Sequence, residues 1–211
     1  MTDTRQDILA IKADLRSMMN GMAAAAMRQA GLTQDYRLNF GVELPRLQQL
    51  ARDLRTRSAT RTATPAPPAS REEPEEAATD LRPLAQALWH EPVRECRILA
   101  LLLYPPGQME ADLACEWASD IRQIELAQLA ALHLFCHIPD ASRCAFQWIA
   151  APEDITQILG YYTLTHLLRR APLAERSAQE LADQAHAALA SANPQLVRAA
   201  RIALAAATDR P

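Results

Sequence analysis

Glycine is scarce in this sequence, five residues in 211, and aromatic side chains make up only 5%. β-Branched runs are almost missing too, so a sheet has little to be built from. No stretch approaches the ~18–20 uninterrupted apolar residues of a membrane span, and Met1-Thr2-Asp3-Thr4-Arg5 lacks the apolar core of a signal peptide. The four cysteines, Cys96, Cys115, Cys136 and Cys144, form no Cys-x-x-Cys pair and sit in apolar or helical stretches. They read as small core residues of a reduced, cytoplasmic protein rather than a disulfide frame. Lysine is nearly absent: of 22 basic residues only Lys12 is not arginine. Arginine suits bidentate phosphate contact, but a GC-rich genome gives the same bias through its codons. No block is strongly basic: residues 1–54 hold seven basic and six acidic groups, 55–80 four and five, and 81–211 eleven and fourteen. With a net charge of -3, any contact with a polyanion must come from a local patch.

What is present is alanine and leucine, within a 49% hydrophobic composition that favours helix almost everywhere. Residues 5–30 carry Ile8, Ile11, Leu15, Met18, Met19, Met22 and Met27 at helical spacing, with Gly21 placed to bend or divide the helix. A helix over 45–55 starts at Pro45, where the missing N–H costs nothing. Residues 56–80 lack any apolar period and are rich in Pro, Ala, Thr and Glu, the composition of a disordered linker. After it, helices recur in pairs: 81–89 with 92–104, 109–119 with 125–137, 141–150 with 153–169, and 175–190 with 194–207. Short loops and a period of about 30 to 35 residues predict an all-α fold. The expected form is a right-handed α-solenoid of HEAT-like antiparallel helix pairs, with a compact bundle as the competing architecture. The organisation expected is an N-terminal pair (1–55), the linker (56–80) and four pairs (81–211) in one monomeric solenoid domain.

Three segments in order resemble the DNA alkylation repair family of HEAT-repeat proteins, the AlkD-like glycosylases among them. The first is Asn39-Phe40-Gly41-Val42-Glu43-Leu44-Pro45 with Leu47 and Leu50-Ala51, similar to that family's aromatic-Gly-Val approach to a helix. The second is Leu88-Trp89-His90-Glu91-Pro92-Val93-Arg94-Glu95, running on to Ala100-Leu101. The third is Ile158-Leu159-Gly160-Tyr161. The resemblance spans nearly all of the chain outside 56–80. It implies a C-shaped α-α superhelix whose concave face cradles duplex DNA, and a cleft of aromatic side chains, one carboxylate and one Arg. In such a cleft aromatic faces attract the cationic alkylated base, a carboxylate stabilises the oxocarbenium-like sugar, and an Arg holds the flanking phosphate.

Carried over residue by residue, the resemblance puts Trp117 and Tyr161 at the two aromatic positions. The carboxylate position, four residues after the Trp, holds Ile121. Asp120 lies one residue early, about 100° round a helix. The Arg position falls near Gln128 or Leu129, in a stretch (125–137) without Arg, flanked by Arg122 and Arg143. The expectation is therefore a DNA-binding protein with weak or no glycosylase activity. If active, it would act on alkylated purines with Asp120 as the candidate catalytic carboxylate. The candidate DNA-binding residues are Trp117, Tyr161, Arg94, Arg97, Arg122, Arg143 and Arg169. Each has an ordinary structural alternative. Arg94 and Glu95 can pair with one another, and the aromatics can be core. Arg169 and Arg170 also suit a helix C-terminus. Trp89 and Trp148 read as packing residues, and the Met cluster as adaptable core or a partner groove. His133 and His137 have i, i+4 spacing but no third ligand, so no metal is implied, and no cofactor. The alternative function is a non-catalytic HEAT-repeat scaffold for protein partners.

Overall fold

The structure, a computed structural model, describes residues 2–62 and 80–208. Among the described residues eleven α-helices account for nearly all regular structure, and an isolated parallel bridge pairs Leu38 with Val93. No helix among them is long and apolar enough to cross a membrane. The chain divides into two compact units, residues 1–104 and 105–211.

The first unit holds α1 (Thr2–Ser17), α2 (Gly21–Gln29), α3 (Leu44–Thr62), α4 (Arg82–Trp89) and α5 (Arg94–Leu103). In α1 the helical repeat buries Ile11 and Leu15. The helix breaks just before Gly21, as the sequence predicts, because Asn20 caps α2: its side-chain oxygen accepts from the Ala23 N–H at 3.1 Å. Helix α2 ends at a left-handed Gly31, with φ 72°. There the Leu32 N–H donates back to Met27 O at 3.0 Å, satisfying a carbonyl of the last turn. Helix α3 starts with Pro45 in its first turn, as expected, but runs to Thr62 rather than stopping near Arg55. Arg55 instead reaches across to the carbonyl of Leu102 on α5, tying down the extension. Of the expected linker, residues 56–62 are therefore helical, and 63–79 lie outside the described residues. Helix α5 packs on α3 and α4, with every residue except Arg97 buried. Lys12 on α1 reaches Glu91, beyond α4, at 2.6 Å.

The second unit holds α6 (Ala111–Asp120), α7 (Ile124–His133), α8 (Ala141–Ile149), α9 (Asp154–Leu168), α10 (Glu175–Ala188) and α11 (Pro194–Thr208). Its centre is α9, which packs against α7, α8 and α11. The unbroken buried run from Ile158 to Thr165 shows why. A helix covered on every side has no face for water. A Cβ on Gly160 would come within 2.8 Å of Ile149 N and 2.9 Å of Ala145 O. Hydrogen at this position is what lets α8 and α9 approach so closely. Trp148 packs on Phe135, ring centroids 4.9 Å apart and tilted by 51°, one of the offset geometries that aromatic pairs favour. Cys96, Cys136 and Cys144 are buried and free, and burial pushes the Cys96 thiol up to about 12.

Candidate nucleic-acid interface

Two of the three family-like segments meet at a single buried carboxylate in the first unit. Glu95, fully buried in the first turn of α5, accepts from the backbone N–H groups of Phe40 (3.1 Å), Gly41 (3.0 Å) and Val42 (3.2 Å). Arg94, only 2% exposed, donates to Glu95 Oε1 at 3.1 Å and to Val42 O at 3.2 Å. The loop can wrap the carboxylate because Gly41 takes φ 70°, a conformation open to a residue without a Cβ. A Cβ there would strike Asn20 O and lie 2.6 Å from Ala24 N. A buried carboxylate with three N–H donors and a guanidinium is fully satisfied, and it fastens the 39–42 loop to α5. This corrects the expectation for Arg94: it is a buried counter-ion and has no surface to offer a phosphate. Arg97, one turn on, lies with its guanidinium 5.3 Å from the ring centroid of buried Trp89, within cation–π reach.

The aromatic pair is corrected as well. Trp117 and Tyr161 are both 0% exposed. Helix α6 turns Trp117 inward alongside Ala114 and Ala118, and Tyr161 lies on the wholly buried stretch of α9. Burial pushes the Tyr161 hydroxyl up to about 12. Neither ring presents a face to a base. Asp120 is the last residue of α6 and half-buried; Ile121, at the carboxylate position, is its buried C-cap. Arg122 caps the same end, donating to Ser119 O and, at 3.1 Å, to Ile121 O. Arg143 is exposed and pairs with Asp140 at 3.0 Å. These positions therefore supply no opposed carboxylate and Arg around an open cleft.

Arg169 is exposed at the C-cap of α9, and the next residue brings a cluster that sequence reasoning did not assemble. Arg170 Nη1 donates to Cys136 O at 3.0 Å, while Nη2 lies 2.8 Å from Nδ1 of His137 and 3.1 Å from its Nε2. His166 is held below its usual range, first by burial and then by the charges of Arg169, Arg170, His137 and His133. His133 is lowered by burial and by His137. Arg198 and Arg201 of α11 line a separate groove with Ser191, Pro194 and Val197. Their i, i+3 spacing was the available signal for a shared helix face. Among the described residues no group of three His, Cys, Asp or Glu side chains is placed to hold a metal.

Comparison with known proteins places these features in a family. A solved structure matches with a TM-score of 0.71 at 12% identity, over 93% of this chain and 74% of the other. It comes from a family of proteins described as related to the HEAT-like repeat DNA glycosylases, with affinity for branched DNA structures. At that identity the likeness establishes the fold: an all-α, HEAT-like helical repeat. No curated protein matches. The family model described as DNA alkylation repair enzyme matches residues 11–204, and the chain belongs to that family.

Proposed function

We propose that this protein binds DNA, with a preference for branched over linear duplex, and does not excise bases. The observation that carries the second half is the state of the excision positions. Ile121 stands buried where the resemblance puts the carboxylate, and Trp117 and Tyr161 are 0% exposed. With an isoleucine at the carboxylate position and both aromatic faces covered, these positions do not stabilise a departing cationic base. DNA binding is supported by family membership, by the related family's affinity for branched DNA, and by the exposed arginines Arg169, Arg170, Arg198 and Arg201.

The test is a titration of labelled linear duplex and four-way junction at two salt concentrations, beside an assay for release of methylated purine. Expected are tighter binding of the junction, affinity that falls with salt as counterions are displaced, and no base release. Binding that is undetectable at low salt, or indifferent to salt, overturns the reading; base release abolished by Asp120→Asn would restore the enzymatic one. One observation favours the scaffold alternative: Met22 is 85% exposed, and with Met19 it lines a surface groove beside Glu43 and Arg46. A stoichiometric protein partner lost on Met22→Glu would support it.

A further inference from the structure

Helices α7 and α9 lie side by side and run the same way, since the turn after α7 (Phe135–His137) meets Arg170, just past the end of α9. Each has its carboxylate in the first turn, Glu125 and Asp154, and its basic groups at the other end. Five basic side chains converge there: His133, His137, His166, Arg169 and Arg170. The elements packed around the 135–137 turn bring few opposing charges. From α7 comes His133, and from α9 come His166, Arg169 and Arg170. The approach to α8 offers Asp140, already held by Arg143 at 3.0 Å. The turn Pro106–Gln108 has no ionisable side chain, and the Cys136 thiol is buried and pushed up by burial.

The hydrogen bonds within the cluster place His137 between a carbonyl and a guanidinium. His137 Nε2 lies 3.1 Å from Leu132 O. A carbonyl oxygen only accepts, so that contact needs the N–H on Nε2, and Nδ1, the nearer ring nitrogen to Arg170 Nη2 at 2.8 Å, is then the acceptor. A proton on Nδ1 would set two donors against one another and free the guanidinium. His133 Nε2 is buried with no hydrogen-bond partner. A cluster of this kind, with two permanent cations beside His133 and His166, both lowered by burial and neighbouring charge, and with His137 in contact with Arg170, gains most from an anion. The anion supplies the opposing charge that lets the imidazoles protonate.

We propose that the ends of α7 and α9 form a phosphodiester-binding patch, built from Arg169, Arg170, His137, His166 and His133, that takes up protons as the DNA backbone docks. The proposal rests on the DNA-binding reading above and adds to it a place and a proton linkage. By linkage, a site that gains protons on binding tightens as pH falls.

The experiment is a fluorescence titration of the full chain with labelled four-way junction at pH 8 and pH 6, at constant ionic strength. Wild type should bind more tightly at pH 6, by about threefold to tenfold for partial uptake of a proton. Exposed His137→Gln, and separately His166→Gln, should flatten that dependence, while His90→Gln and His186→Gln should keep it. Arg169→Ala should weaken binding at both pH values. Circular dichroism verifies that each variant is folded; His137 is exposed, so its variant keeps the test decisive if His166→Gln fails to fold. Binding with no pH dependence, or with one that His137→Gln leaves intact, overturns the patch while the DNA-binding reading stands. Absence of binding at both pH values overturns both. A final arm measures thermal stabilisation by inorganic phosphate at matched ionic strength. Stabilisation equal to that by DNA would assign the patch to free phosphate and overturn the backbone assignment.

Discussion

Glu95 is one carboxylate with four donors around it, and its removal should be felt throughout the first unit. Glu95→Gln keeps the shape but leaves Arg94 buried without its counter-charge and turns an amide toward backbone N–H groups. We expect a loss of about 3–5 kcal/mol in urea unfolding; a variant with an unchanged midpoint would show that the cradle contributes little. The pairing of Arg94 with Glu95 was legible in the sequence as one of two readings. What the sequence could not show was that the partners of Glu95 lie 53 to 55 positions away in the Phe40-Gly41-Val42 loop. The same limit applied to Trp117 and Tyr161: residue type marks an aromatic, but only packing decides whether its face is open. Trp89 was easier to read, because the apolar residues of α5, the helix that packs on α4, follow it closely in the sequence.

Helix positions were read well wherever a break residue or a cap was present, as at Gly21, Pro45 and Pro194. They were read less well where one was missing: α3 runs through Thr56 and Arg57 because nothing in that stretch stops a helix and Arg55 is anchored on Leu102. At this scale two outcomes are expected. Gly160→Ala should force α8 from α9 and cost about 1–3 kcal/mol, measured by chemical denaturation. The helix ends that carry His133 and His166 should make stability pH-dependent. Both imidazoles are lowered in the folded state, so the unfolded chain binds their protons first. Their contribution is complete above the ordinary imidazole value of about 6.5 and is lost as pH falls below it. Melting temperature should therefore drop between pH 7.5 and 5.5, and drop less in His166→Gln; an identical drop in that variant would remove His166 as a source.

The whole chain carries little net charge and two compact units, each with its own core. The second is centred on α9, whose principal helix partners, α7, α8 and α11, lie within residues 105–211. A fragment of those residues should fold, with a single cooperative thermal transition by circular dichroism; a non-cooperative melt would show that it depends on the first unit. The first unit has a different history during synthesis. Helices α1, α2 and α3 are translated before residue 95, so the 39–42 loop is made before the carboxylate that its N–H groups bind in the folded protein. The N-terminal third of the protein is thus committed late, by an acid and a base translated side by side as α5 begins, and a nascent chain halted before Arg94 should remain open to proteases that the finished one resists.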